Sequence, residues 1–470
     1  MRFCWGSGWF VANSDSPIDD CVRSEKAASS VTSHRKEVMH LTLLKSANAT
    51  TKFSYCLTHI LLCAIFAYMK SAAAEPSPAV NAINTFGVDL LHKVAKPDAN
   101  VLLSPYSIQS ALAMAYAGAD GTTRAEMAKV LHYPKDESEL HQSLAALRKA
   151  LDAIMQQSAA QSEQLKKYGT NDPITLTVAN RLFGQSGYDF RAPFLELVKE
   201  NYNAPFEPMD FINGSAAATK KINQWVEEQT RKRIRDLIPD GALDRLTRLV
   251  LVNAIYLKAA WAEKFPTDAT KPGLFHVNGG KGVEVPMMNQ REEFLYGKGD
   301  GFGLVKLPYN DYRLAFVIIL PDKMDGLASV EAKLHASLNT DSVKLEKCDV
   351  TLRMPKFKIE PPLIPLGQIL QALGMKSAFD KPRGSANFER IAPRGSDDYL
   401  ALSEVYHKTF LKLDEEGTEA AAATALVAIA AGIHEPPKQV TVNVDHPFIF
   451  AIQHQPSGAI LFLGHVTDPR

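Results

Sequence analysis

The residues between Asp414 and Gly432 are the first whose types and spacing ask for a chemical reading. Asp414, Glu415 and Glu416 lead into Gly417, Thr418 and Glu419. Ala420, Ala421, Ala422, Ala423 and Thr424 follow, then the aliphatic run Val427 to Ala431, Gly432, and Pro436-Pro437. By propensity an alanine-rich run is helical. Ala420 to Ile433 is too short to cross a membrane, which takes roughly 20 apolar residues. No polar face recurs at helical spacing after Thr424, which makes a poor amphipathic helix and leaves a buried helix open. The chain has no Gly-x-Ser-x-Gly elbow, no His-Glu-x-x-His and no phosphate loop, which removes the motifs of hydrolase, zinc-protease and nucleotide chemistry. No CxxC pair or metal-spaced Cys/His cluster occurs, and no metal or cofactor is expected.

These residues must be positioned by the elements around them. The chain has 470 residues, 46% hydrophobic and 22% charged, with a formal net charge of zero. That balance is globular and gives no charge argument for nucleic acid or membrane surface. No linker or repeat divides the region after Glu75, so residues 75–470 read as one domain. Residues 1–74 read as a leader. Leu57 to Tyr68 is an apolar core of signal-peptide length after Lys52, and Ala72-Ala73-Ala74 offers the cleavage site. Secretion is expected, with an N-terminal membrane anchor as the competing reading and Met39 as an alternative start. Of the five cysteines, only Cys348 lies outside the leader.

Val80, Ile83, Phe86, Leu90, Leu91 and Val94 have helical spacing, and a second helix carries Leu112, Met114 and Tyr116 to Gly118. Gly118-Ala119-Asp120-Gly121-Thr122-Thr123 reads as a turn and a helix N-cap. Leu140 to Leu165 reads as helix and Thr175 to Phe183 as an alternating strand. Ile222 to Val226 lies on a helix with Trp225 facing inward. The near-continuous apolar run Leu249 to Lys258 reads as a buried strand. Further strands fall at Val285–Met288, Leu307–Tyr309, Phe316–Pro321 and Val350–Phe357. Leu366 to Leu373, closed by Gly374, is a helix with its C-terminal glycine. Asn213-Gly214-Ser215 is a glycosylation acceptor sequence, expected in a loop. Arg231, Lys232, Arg233 and Arg235 are a basic cluster that reads as a solvated helix end, with weak polyanion binding as the sharper reading.

Glu415-Glu416-Gly417-Thr418-Glu419-Ala420-Ala421-Ala422-Ala423-Thr424 closely resembles the hinge of inhibitory serpins. His446-Pro447-Phe448-Ile449-Phe450 resembles the segment after their reactive loop. Ser104-Pro105-Tyr106-Ser107-Ile108, Gly118 to Thr123, Val178 to Phe183 and Asn223-Gln224-Trp225-Val226 are similar to further family signatures. Ala386-Asn387-Phe388 departs from the usual Ala-Asp-Phe-Ser in a loop. The resemblance runs from about Val80 to Pro469, and the loop style is similar to that of arthropod serpins, those of ticks among them. It implies an α+β serpin fold with three β-sheets, about nine helices and an exposed reactive-centre loop at about 416–437.

In that family the loop is bait. A protease cuts it, and it inserts as an extra strand of the main sheet. Thr418, Ala420, Ala422 and Thr424 would then share one face, small enough to bury without overpacking. Counting from the hinge glycine places the scissile bond at Ala431-Gly432. Ala431 is small and uncharged, and no Arg or Lys lies between Lys412 and Lys438. The implied partner is a serine protease with a small apolar primary pocket, of the elastase kind. The resemblance assigns Ser104, Ser107, Asn253 and His407 to the shutter, where the sheet parts. It assigns Trp261, Lys356 and Glu416 to the breach, where the loop first inserts, with Lys356 expected to pair with Glu416. The chain itself supplies no catalytic residue and is expected to be a monomer. The competing readings are a non-inhibitory serpin-fold carrier or storage protein, against which Ala420 to Ala423 argue, and a serine hydrolase.

Overall fold

The computed structural model describes residues 76–165, 173–277, 280–334, 343–396, 398–419 and 437–470. The leader, the Ala431-Gly432 bond and the hinge residues Ala420, Ala421, Ala422, Ala423 and Thr424 lie outside the described residues. Pro76–Arg470 form one compact unit.

Chain order begins with α1 (Pro78–Val94), β1 (Val101–Leu103), α2 (Pro105–Gly118), α3 (Gly121–Val130), α4 (Glu137–Leu165), β2 (Thr175–Gln185), α5 (Ala192–Tyr202), β3 (Phe206–Met209), α6 (Phe211–Gln229) and β4 (Leu249–Ala260). It continues with β5 (Lys271–His276), β6 (Gly282–Lys298), β7 (Phe302–Pro308), β8 (Leu314–Pro321), α7 (Leu327–Glu331), β9 (Glu346–Pro355), β10 (Phe357–Ile359), β11 (Ile364–Pro365) and α8 (Gly367–Leu373). Last come β12 (Tyr406–His407), β13 (Leu411–Asp414), β14 (Gly417–Thr418), β15 (Gln439–Asn443), β16 (Phe448–His454) and β17 (Ala459–Val466). Eight α-helices and three sheets are thus present among the described residues, a mixed α+β architecture.

Local chemistry explains the elements that matter. Pro105 fits the first turn of α2, where a missing N–H costs nothing, and the Ser104 side chain caps that helix by accepting from Ser107 N–H. Nearly all of α2 is buried, as expected of a helix apolar on every side. In the nine-stranded sheet β16 and β17 are buried at every residue. The six-stranded sheet has the order β10-β13-β14-β4-β2-β3. Its β2 and β4 pair antiparallel from Thr175↔Lys258 to Gly184↔Leu249. The two-residue strand β14 is antiparallel to both neighbours, through Leu413↔Thr418 and Thr418↔Ala259. So β4 and β13 run parallel, and among the described residues only β14 bridges them.

The Asn213 acceptor sequence lies in the first turn of α6, not in a loop. Asp210 caps that helix, accepting from Asn213 N–H and from its side-chain amide at 3.1 Å each. The cap outweighs the turn signal of Asn-Gly, and the break in helical geometry comes one residue later, at Gly214 (φ −139°, ψ 36°). Trp225 is half-buried and meets the edge of Phe183, with ring centroids 5.8 Å apart. Cys348 is a free thiol buried on β9.

Candidate functional site

The first hinge residues, Gly417 and Thr418, are seated in the sheet. Gly417 has φ +139°, and a Cβ there would stand 2.2 Å from the carbonyl oxygen of Ala259, so only glycine permits this approach. Thr418 is 1% exposed and turns inward, its hydroxyl 2.7 Å from that of Tyr309. Tyr309 stacks on Trp261 at 4.8 Å and an interplanar angle of 8°, and burial pushes its phenol well above the ordinary range. Stacking of this kind adds about 1 kcal/mol beyond area burial. The exposed loop expected from residue 416 therefore does not begin there, because Gly417 and Thr418 are buried strand residues.

Ion pairs hold the turn that leads into β14. Trp261 donates its backbone N–H to Glu416 O and its indole N–H to Asp414 O, each at 3.0 Å. Glu415 receives Lys356 Nζ at 2.8 Å and the Thr270 hydroxyl at 2.9 Å. Burial raises the Glu415 carboxyl, but the hydrogen bonds from Lys356 and Thr270 outweigh it and leave the group below its usual range. Lys356 thus pairs with Glu415 and not with Glu416, as the sequence had suggested. The turn aims neighbouring carboxylates in different directions, and Glu416 meets Lys264 at 2.7 Å. The basic cluster is likewise more than a solvated helix end. Arg233 Nε reaches Glu419 at 2.7 Å, and Arg231 donates to the Thr175 hydroxyl at 3.2 Å while its guanidinium stands over the Tyr256 ring.

The second cluster lies deeper and is uncharged. Ser104 N–H donates to His407 Nε2 at 3.1 Å, and Ser104 Oγ donates to Leu461 O at 2.7 Å. Ser107 Oγ donates to Asn253 Oδ1, and Asn253 Nδ2 to Asn180 Oδ1. Asn180 Nδ2 then donates to Tyr202 O at 3.0 Å. Burial lowers His407 to about 3, consistent with a neutral ring accepting from Ser104. All four residues assigned to the shutter meet here. Asn180 joins them, although in sequence it is only one polar residue of an alternating strand. Ser107, Leu112, Leu251, Asn253, Tyr399 and His407 also line a cavity of about 420 Å³.

The two clusters mark opposite ends of a seam between β4 and the 406–414 stretch. Its upper end holds two residues of a strand, and its lower end is a polar network flanking a cavity. A strand of small residues continuing from Thr418 would run along this seam. Among the described residues no group of three His, Cys, Asp or Glu could hold a metal ion, and no helix is long and apolar enough to cross a membrane.

Comparison with known proteins agrees with this geometry. A family model described as "Serpin (serine protease inhibitor)" matches residues 81–469. The leukocyte elastase inhibitor of Bos taurus is 38% identical over 402 residues, covering 83% of this chain and 99% of that protein. An uncharacterised serpin-like protein of Thermococcus kodakarensis is 38% identical over 397 residues, covering 84% of this chain and 87% of its own length. Among solved structures, cleaved Serpin 42Da superposes with a TM-score of 0.68 at 30% identity, covering 84% of this chain and 99% of that one. The chain therefore belongs to the serpin family of serine protease inhibitors.

Proposed function

We propose that this chain is a secreted, single-use inhibitor of elastase-like serine proteases. The observation that carries the reading is the seated β14: Gly417 and Thr418 already pair with β4 and β13, as the first residues of an inserting strand would. The protease's serine oxygen attacks the Ala431 carbonyl, the Ala431-Gly432 bond breaks, and the new amine at Gly432 takes the proton from the protease's histidine. An ester links Ala431 to the protease. The freed strand then zips down the seam before water reaches the ester, and distortion of the protease's geometry strands the intermediate. The alanines after Glu419 suit burial between β4 and β13. The relatives named leukocyte elastase inhibitor support the target class, as does the uncharged Ala431. The apolar core in the leader supports secretion.

The test is to mix residues 75–470 with a neutrophil-type elastase and with trypsin, then run denaturing gels and mass spectrometry. The expected result is an SDS-stable adduct with elastase alone and a released peptide beginning at Gly432. Cleavage without an adduct would make the chain a substrate, as a non-inhibitory carrier would be. An adduct with trypsin alone would move the scissile bond.

A further inference from the structure

Strand β14 ends at Thr418, and the next residue departs from extended geometry. Glu419 has φ +53°, the left-handed region that a residue with a Cβ adopts at a cost. Its N–H still reaches Lys412 O, at 3.2 Å, so ladder bonding extends to this residue. Its side chain is 4% exposed, and its only ion-pair partner among the described residues, Arg233, is 48% exposed. Arg233 itself lies over the ring of Phe410, the residue before β13, at 5.2 Å. Tyr256 of β4 is the third neighbour. Burial, then the hydrogen bond and charge of Glu419, push its phenol well above the ordinary range.

We infer that Glu419 is a catch: its left-handed backbone, pinned by Arg233, must flip to the extended region for β14 to lengthen past Thr418. The inference rests on the reading that the loop inserts after cleavage, and it adds the residue that gates this step. A β-branched residue at 419 resists the left-handed region and starts the strand, whereas glycine accepts it freely. Both replacements remove the carboxylate equally, so their difference isolates the backbone. Arg233→Ala removes the pin alone.

The experiment cuts the loop with a zinc metalloprotease, which forms no acyl-enzyme, and follows the gain of heat resistance with time. Glu419→Val is expected to insert about tenfold faster than Glu419→Gly, and Arg233→Ala faster than the parent. Equal rates for Val and Gly, or a faster Gly variant, would overturn the catch. If Arg233→Ala fails to fold, the pair at 419 still decides. The elastase adduct of the parent is scored separately. An adduct with equal Val and Gly rates removes the catch and leaves the inhibitor, whereas ordered rates without an adduct do the reverse.

Discussion

The upper and lower ends of the seam are held together by different physics. At the top, Lys356–Glu415, Lys264–Glu416 and Arg233–Glu419 are ion pairs with partly exposed cations. At the bottom, Ser104, Ser107, Asn180, Asn253 and His407 form a network of neutral groups. Exposed pairs are screened by salt and individually weak. A buried neutral network is indifferent to salt, yet each partner removed leaves another group unsatisfied. Under the proposed insertion, the top is the end that yields and the bottom the end that holds.

The strongest way to break this contrast is to spoil the seat at the top. Thr418→Arg would force a guanidinium against Tyr309 and Trp261, where Thr418 is 1% exposed. Adduct yield with elastase is expected to fall by more than about tenfold, since an unpaired buried charge costs several kcal/mol, with cleavage persisting on the gel. At the bottom, Asn253→Ala strands the Ser107 hydroxyl and the Asn180 carbonyl. The uncut protein is expected to lose about 2 kcal/mol in chemical denaturation, equally at low and high salt.

Acid sharpens the comparison. His407 is lowered from 6.5 to about 3 by burial, so the unfolded chain binds a proton that the folded chain refuses. Its contribution is therefore whole above pH 6.5 and is lost as pH falls toward 3, by about 1.4 kcal/mol per unit. Denaturation midpoints should show that slope, and His407→Gln should flatten it. The smallest effect belongs to the top: Lys356 is 40% exposed and Thr270 still donates to the buried Glu415, so Lys356→Ala should cost about 1 kcal/mol, reduced but not abolished at molar salt.

Much of the fold was legible because its helices and strands carry unbroken apolar periodicity; Leu249–Ala260 and Pro105–Gly118 are examples. That Ser104, Ser107, Asn253 and His407 come together was legible through family resemblance. What stayed hidden depends on direction. Glu415 and Glu416 are adjacent carboxylates, and only the turn decides which faces Lys356. Arg233 is one of four basic residues in its cluster, and its partner at Glu419 lies far along the chain. Asn180 lies within the Val178–Phe183 family signature, but its contact with Asn253 comes from the register Asn180↔Asn253. Asn213 was misread because the cap at Asp210 extends the helix over a turn-like sequence.

The central claim is that the sheet waits for a strand along the β4–β13 seam. Hydrogen exchange of β4 and of residues 406–414, before and after loop cleavage, tests it most directly. The account predicts that amides at the seam become strongly protected after cleavage, from Ala259 down to Asn253. Unchanged exchange in a fully cleaved protein would contradict it.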